Sequence, residues 1–197
     1  MSKQIEFFFD VGSPATYLAW TQLPALAARH AADLVYRPML LGGVFQATGN
    51  QSPATIAAKG AYTRDDFQRF ARRYGVTLNH NPYFPINTLQ LMRGAEALHG
   101  TDQFDVYLGA VFQAIWVDEQ DMNQPDVVGR VLAAAGLDPA ALMEQLGDPE
   151  VKQRLKETTE EAVRRGVFGA PTMFVDGEMF FGQDRLQFVE EKLAACH

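Results

Sequence analysis

The stretch Ile5-Glu6-Phe7-Phe8-Phe9-Asp10-Val11-Gly12-Ser13-Pro14-Ala15-Thr16-Tyr17-Leu18 decides the fold. Residues 3–9 are bulky and alternate little, the pattern of a strand buried on both faces. Asp10-Val11-Gly12 breaks that run, and Ser13 followed by Pro14 reads as a helix N-cap and first helical residue. Tyr17, Trp20, Leu23 and Leu26 carry the helix to about Ala32, with Pro24 expected to bend or divide it. Residues 34–39 form a second short strand. Strand, helix and strand within forty residues make a parallel pair joined by a right-handed crossover.

Outward from there the pattern changes. From Leu41 to about Arg165 the chain reads as almost only helices. Ser52-Pro53 opens one, and Phe67, Phe70, Ala71 and Tyr74 form an apolar stripe at helical spacing that Gly75 ends. Residues 87–90 look like a capping box for a helix ending at Gly100. Phe104, Leu108, Val111, Phe112 and Ile115 give another stripe. Pro125, Pro139 and Pro149 open three further helices, and Gly136, Gly147 and Gly166 close them. At the end, residues 172–175 and 178–181 are strands joined by Asp176-Gly177, a two-residue hairpin signal. After Gly182-Gln183, Asp184 caps a last helix carrying Leu186, Val189 and Leu193. The order βαβ, helical block, ββα is an α/β thioredoxin fold interrupted by an all-helical insertion domain. Residues 1–41 and 166–197 would form the thioredoxin-like domain, and 42–165 the insertion.

Composition bounds the function. A chain of 197 residues with 47% hydrophobic residues can bury a substantial core. Its formal net charge of -7 repels phosphate backbones and anionic membrane surfaces, so neither nucleic acid nor membrane is an expected partner. The basic pairs Arg72-Arg73 and Arg164-Arg165 read as solvated helix ends. No apolar run approaches bilayer length, and the first residues lack a signal-peptide pattern. The one cysteine, Cys196, allows neither an internal disulfide nor a Cys–His metal site. A reducing interior, cytoplasmic by default, is the expected compartment.

Three places carry chemistry. Ser13 stands at a helix N-terminus, where free N–H groups and the helix dipole favour an anion. A thiolate there would be stabilised, with the Ser13 hydroxyl as one donor; taken alone, Ser13 reads first as a plain helix cap. Ala170-Pro171 precedes a central strand, where proline is tolerated poorly. A cis bond would explain it and leave the Ala170 backbone free for an extended ligand, whereas a trans proline would simply start the strand. Gln183 and Asp184 open a helix whose N–H groups suit a ligand carboxylate, with the Asp184 side chain suited to an ammonium. Asp184 as a mere cap is the other reading.

Phe9-Asp10-Val11-Gly12-Ser13-Pro14-Ala15-Thr16-Tyr17-Leu18, Phe168-Gly169-Ala170-Pro171-Thr172 and Phe181-Gly182-Gln183-Asp184-Arg185-Leu186 together resemble the signature blocks of the 2-hydroxychromene-2-carboxylate isomerase family. That family belongs to the DsbA-like thioredoxin superfamily, beside the kappa-class glutathione transferases. Phe84-Pro85-Ile86-Asn87-Thr88 fits the family's loop before an insertion helix. The resemblance implies that Ser13 is catalytic and holds the sulfur of glutathione, the cofactor. It puts Thr16 where a redox Cys-x-x-Cys motif has its second cysteine. Ala170 and Pro171 would bind the cysteinyl part of glutathione, and Gln183 and Asp184 its γ-glutamyl end. Asn50, Lys59, Phe84 and Asn87, with Tyr83 beside them, would face the substrate; a solvated Lys59 is the other reading.

The implied reaction is cis-trans isomerisation of 2-hydroxychromene-2-carboxylate, or a similar conjugated aromatic acid, by transient thiolate addition. A small aromatic substrate, a homodimer and a role in aromatic-compound degradation come with the resemblance. One alternative is a kappa-type glutathione transferase or peroxidase sharing the same grips. Another, from a different class, is a non-catalytic DsbA-like binding module without saturable glutathione binding.

Overall fold

The computed structural model describes residues 3–195, so Cys196 lies outside the described residues. The chain begins with β1 (Gln4–Phe9), α1 (Pro14–Arg29) and β2 (Asp33–Pro38). Helices follow: α2 (Leu41–Thr48), a 3-10 turn (Pro53–Thr55), α3 (Ala57–Tyr74), α4 (Leu89–Leu98), α5 (Phe104–Trp116), α6 (Pro125–Ala134), α7 (Pro139–Gly147) and α8 (Pro149–Arg164). The chain then returns to the sheet with β3 (Thr172–Val175) and β4 (Glu178–Phe181), and closes through a 3-10 turn (Gln183–Arg185) into α9 (Leu186–Ala195).

The sheet order is β2-β1-β3-β4. β1 runs parallel to β2, with Phe7 opposite Tyr36, and antiparallel to β3, with Phe7 opposite Met173. The β3–β4 hairpin turns at Asp176 and Gly177, whose φ angles of 50° and 76° are those the Asp-Gly pair supplies. This is the thioredoxin-like arrangement expected from the sequence, a mixed sheet with helices on both faces.

The lack of alternation in β1 now has its cause. Ile5, Phe7 and Phe9 point into a core shared with α1, α5 and α9, while Phe8 packs on the other face with Met39, Val44, Ala162, Val167 and Phe174. Phe7, Phe8 and Phe9 are fully buried, each contributing about 1.5–3 kcal/mol. The larger core runs without interruption from β1 through α1 into the stripe Leu108, Val111, Phe112 and Ile115 of α5. Among the described residues, no helix is long and apolar enough to cross a membrane.

Several local expectations are corrected. Pro24 does not divide α1, which runs as one helix; Leu18, Leu23, Leu26 and Ala27 bury along it and outweigh one missing backbone bond. Ser52 caps only the 3-10 turn, and α3 starts at Ala57. The capping box read over residues 87–90 is not closed: the Asn87 side chain accepts from the Leu89 N–H, but α4 has Thr88 at its cap, and the Thr88 hydroxyl donates to Asp10. Arg165 is no solvated helix end. Its guanidinium makes two bonds to Glu6, 2.8 and 2.7 Å long, and lies 3.8 Å from the Phe174 ring centre. The Arg165 hydrogen bonds hold the Glu6 carboxyl below its ordinary pKa, against the opposing effect of burial.

Candidate active site

Ser13 caps α1 with extended backbone angles (φ -100°, ψ 120°), and its Oγ accepts from the Thr16 N–H at 3.2 Å. The same hydroxyl donates its proton to the Ala170 carbonyl at 3.1 Å. The Ala170–Pro171 bond is cis. The expectation that the Ala170 carbonyl stands free is therefore corrected: Ser13 uses it. The Pro171 carbonyl accepts from the Gly182 N–H at 2.9 Å. Ser13, Ala170, Pro171 and the turn before α9 thus form one continuous cluster, although Ser13 and Ala170 are 157 residues apart.

Gln183 and Asp184 differ in their surroundings. Gln183 is buried, and its carbonyl accepts from the Tyr74 hydroxyl at 2.7 Å, which ties the turn to α3. Asp184 does not cap a helix. It sits in the 3-10 turn, and its carboxylate pairs with Arg185. Gly182 adopts φ 96°, a left-handed conformation that favours glycine. Gly169 admits a close approach: a Cβ there would stand 2.7 Å from the Phe181 ring, whose centroid lies 4.6 Å from that of Phe168 with the planes tilted by 50°.

The remaining sequence candidates are less uniformly gathered. The Asn50 side chain donates to the Phe168 carbonyl at 2.7 Å, two residues from Ala170. Phe84 rests on Trp116 at 6.1 Å, and the Trp116 indole N–H donates to the Val11 carbonyl at 2.9 Å, so Phe84 reaches the Ser13 loop through one side chain. The Asn87 Oδ1 accepts from Leu89 N–H at 3.1 Å, beside Thr88. Tyr83 is half exposed, and its N–H donates to Asn81 at 2.8 Å. Lys59 is exposed near the start of α3 and is tied to none of these groups.

Two residues that sequence reasoning passed over hold the site in place. Asp10 is 1% exposed. Its Oδ1 accepts from Gly12 N–H at 2.9 Å, and its Oδ2 accepts from Leu41 N–H at 2.8 Å and from the Thr88 hydroxyl at 3.0 Å. One carboxyl thereby fastens the Ser13 loop, the start of α2 and the start of α4. Burial pushes its pKa up, against these three hydrogen bonds, which favour the charged form. Thr88 is the second. An acidic residue directly after the Phe7-Phe8-Phe9 run was the available signal for Asp10; Thr88 was marked only as part of a capping box, not as a partner of Asp10.

A βαβ–ββα sheet with a serine at the first helix N-terminus and a cis-proline before the third strand defines a thioredoxin-like chain of the DsbA type. The family model described as a DSBA-like thioredoxin domain matches residues 4–194. A 2-hydroxychromene-2-carboxylate isomerase from Sphingobium xenophagum is 35% identical, over 98% of this chain and 99% of that protein. Glutathione S-transferase kappa 1 from Homo sapiens is 28% identical, over 98% of this chain and 92% of its own. A solved 2-hydroxychromene-2-carboxylate isomerase superposes with a TM-score of 0.84 at 30% identity, covering 97% of this chain and 94% of that one. The chain belongs to the DsbA-like thioredoxin family and, within it, to the 2-hydroxychromene-2-carboxylate isomerase family.

Proposed function

We propose that this chain is a glutathione-dependent cis-trans isomerase of 2-hydroxychromene-2-carboxylate or a similar conjugated aromatic acid. The observation that carries the reading is the Ser13 hydroxyl, held at the N-terminus of α1 and bonded at 3.1 Å to the carbonyl before a cis-proline. Relatives named as this isomerase match the chain almost end to end, which supports isomerisation over conjugation.

The residues present fit glutathione. Beside Ser13, the fully buried Thr16 hydroxyl has no hydrogen-bond partner among the described residues. A sulfur anion at this helix end would meet the Ser13 hydroxyl and the positive end of α1. Ser13 donates to Ala170 now, so its hydroxyl would turn to the sulfur, and the released carbonyl would accept from a peptide N–H. Asp184 would take an ammonium in exchange for Arg185, and the turn before α9 a carboxylate. Bound glutathione would supply a thiolate that adds to a conjugated double bond, leaves it single and free to rotate, and departs again. Asn50, Asn87 and Lys59 are the candidates to steady the substrate carboxylate and developing enolate. Residues 42–165 would then act as the substrate-shaping insertion, and the enzyme as a cytoplasmic homodimer in aromatic-compound degradation.

The test is isomerase turnover with and without glutathione, in the parent and in Ser13→Ala. Turnover should require glutathione, and Ser13→Ala should lose about 10²-fold or more in kcat/KM, the scale of removing one anion-stabilising donor. Full turnover without glutathione, or a full-speed variant, overturns the proposal. Conjugation of an electrophilic dye outpacing isomerisation would favour the kappa-type transferase instead.

A further inference from the structure

Away from Ser13, helices α2, α4 and α8 enclose an open groove of about 700 Å³, within the range of small-molecule sites. Leu40, Leu89 and Leu155 give it apolar walls. Its charged lining is cationic apart from Glu160, in a chain whose net charge is -7.

The cations differ in how they are occupied. Lys152 donates to the Gly147 carbonyl at 2.7 Å, and Lys156 stands 3.7 Å from Glu160. Arg93 and Arg164 have no ion-pair or hydrogen-bond partner among the described residues. Arg93 is the unusual one. The other arginines without such a partner, Arg64, Arg72, Arg73, Arg130 and Arg164, are all exposed, whereas Arg93 is half-buried. Its guanidinium therefore has no counter-charge of its own among the described residues, and a carboxylate would meet it with two parallel hydrogen bonds. Arg93 also follows Leu89 by four residues on α4, so charge and apolar wall share one helix face.

We infer that this groove binds a small amphipathic carboxylate, an aromatic or medium-chain acid, with its carboxylate on Arg93 and its apolar part against Leu40, Leu89 and Leu155. Lys156 and Arg164 add long-range attraction at the rim. Neither Ser13 nor Ala170 lines the groove, so the site is separate from the one proposed for glutathione.

The experiment is titration of the full chain with 1-naphthoate and octanoate, followed by calorimetry and by amide chemical shifts. Sulfate tests charge alone, and 1-naphthol tests the ring alone. Saturable binding of both acids is expected, with shifts at Gly43, Ala47 and Arg93 whatever happens near Ser13. Arg93→Leu should weaken binding at least about tenfold, the loss of roughly 1.4 kcal/mol, and leave isomerase turnover unchanged. Lys156→Glu, at an exposed position, should weaken it several-fold. Shifts confined to residues around Ser13 and Ala170, sulfate binding as tightly as 1-naphthoate, or an unaffected Arg93→Leu variant would each overturn the inference.

Discussion

Replacing Thr88 by valine removes one hydroxyl and keeps the shape of the side chain, so it isolates the bond that joins α4 to the Ser13 loop. Asp10 Oδ2 then keeps only the Leu41 N–H, at 2.8 Å, and gains a methyl group where a donor stood at 3.0 Å. Both residues are buried. A hydrogen bond to a buried charged group is worth about 1.5–3 kcal/mol. For a domain of this size, each kcal/mol lowers Tm by about 2–4 °C, so a fall of about 3–12 °C is expected at neutral pH. The pH dependence is the sharper part. Losing a donor raises the folded Asp10 pKa further above the unfolded one. A carboxyl raised in this way contributes stability below its unfolded pKa and loses it as pH rises through the folded pKa. The gap between parent and variant should therefore be widest at neutral and alkaline pH and narrow as acid protonates Asp10 in both. Urea unfolding of the two proteins at a series of pH values measures it. A destabilisation that is the same at every pH, or one below about 0.5 kcal/mol throughout, would refute the assignment of Asp10 as a charged clamp.

Other outcomes follow from neighbouring contacts in the fold. Glu6→Gln should cost about 1–3 kcal/mol near neutral pH. It should also flatten the acid side of the stability curve: the Glu6 pKa is depressed by Arg165, so its contribution is present above the ordinary carboxylate pKa and lost as pH falls through the folded value. Urea midpoints between neutral and acid pH read both effects. Gly94→Ala should cost about 2–4 kcal/mol by thermal or urea unfolding. Its Cβ would collide with the Tyr107 hydroxyl and lie 2.7 Å from the ring carbon bearing it, breaking the buried 2.7 Å bond from Tyr107 to the Leu91 carbonyl.

Much of the fold was legible because its signals are local. The three phenylalanines of β1, the Ser-Pro entry to α1, the Pro-opened helices α6, α7 and α8, and the Asp-Gly hairpin each state their structure within a few residues. Cap chemistry was less legible: Thr88 stands at the cap of α4 and has the right residue type to cap it, but its hydroxyl is claimed by Asp10, 78 residues away. Arg165 misled for the same reason, since its partner Glu6 lies on the first strand. A local pattern names what a side chain is able to do, and the fold decides which competing partner it meets.

The sequence by itself determined the element order, the interruption of the sheet by helices, and Ser13 at a helix N-terminus in a chain whose one cysteine is its penultimate residue. Hydrophobic periodicity and turn chemistry act over short distances, so they are written in consecutive residues. Only the tertiary structure decided that the Ser13 hydroxyl and the Ala170 carbonyl bond to each other, that Asp10 fastens three elements at once, and that Arg93 lies half-buried without a counter-charge among the described residues. Those facts depend on which groups exclude water from one another, and that is set by packing between segments a hundred residues apart or more as readily as between neighbours.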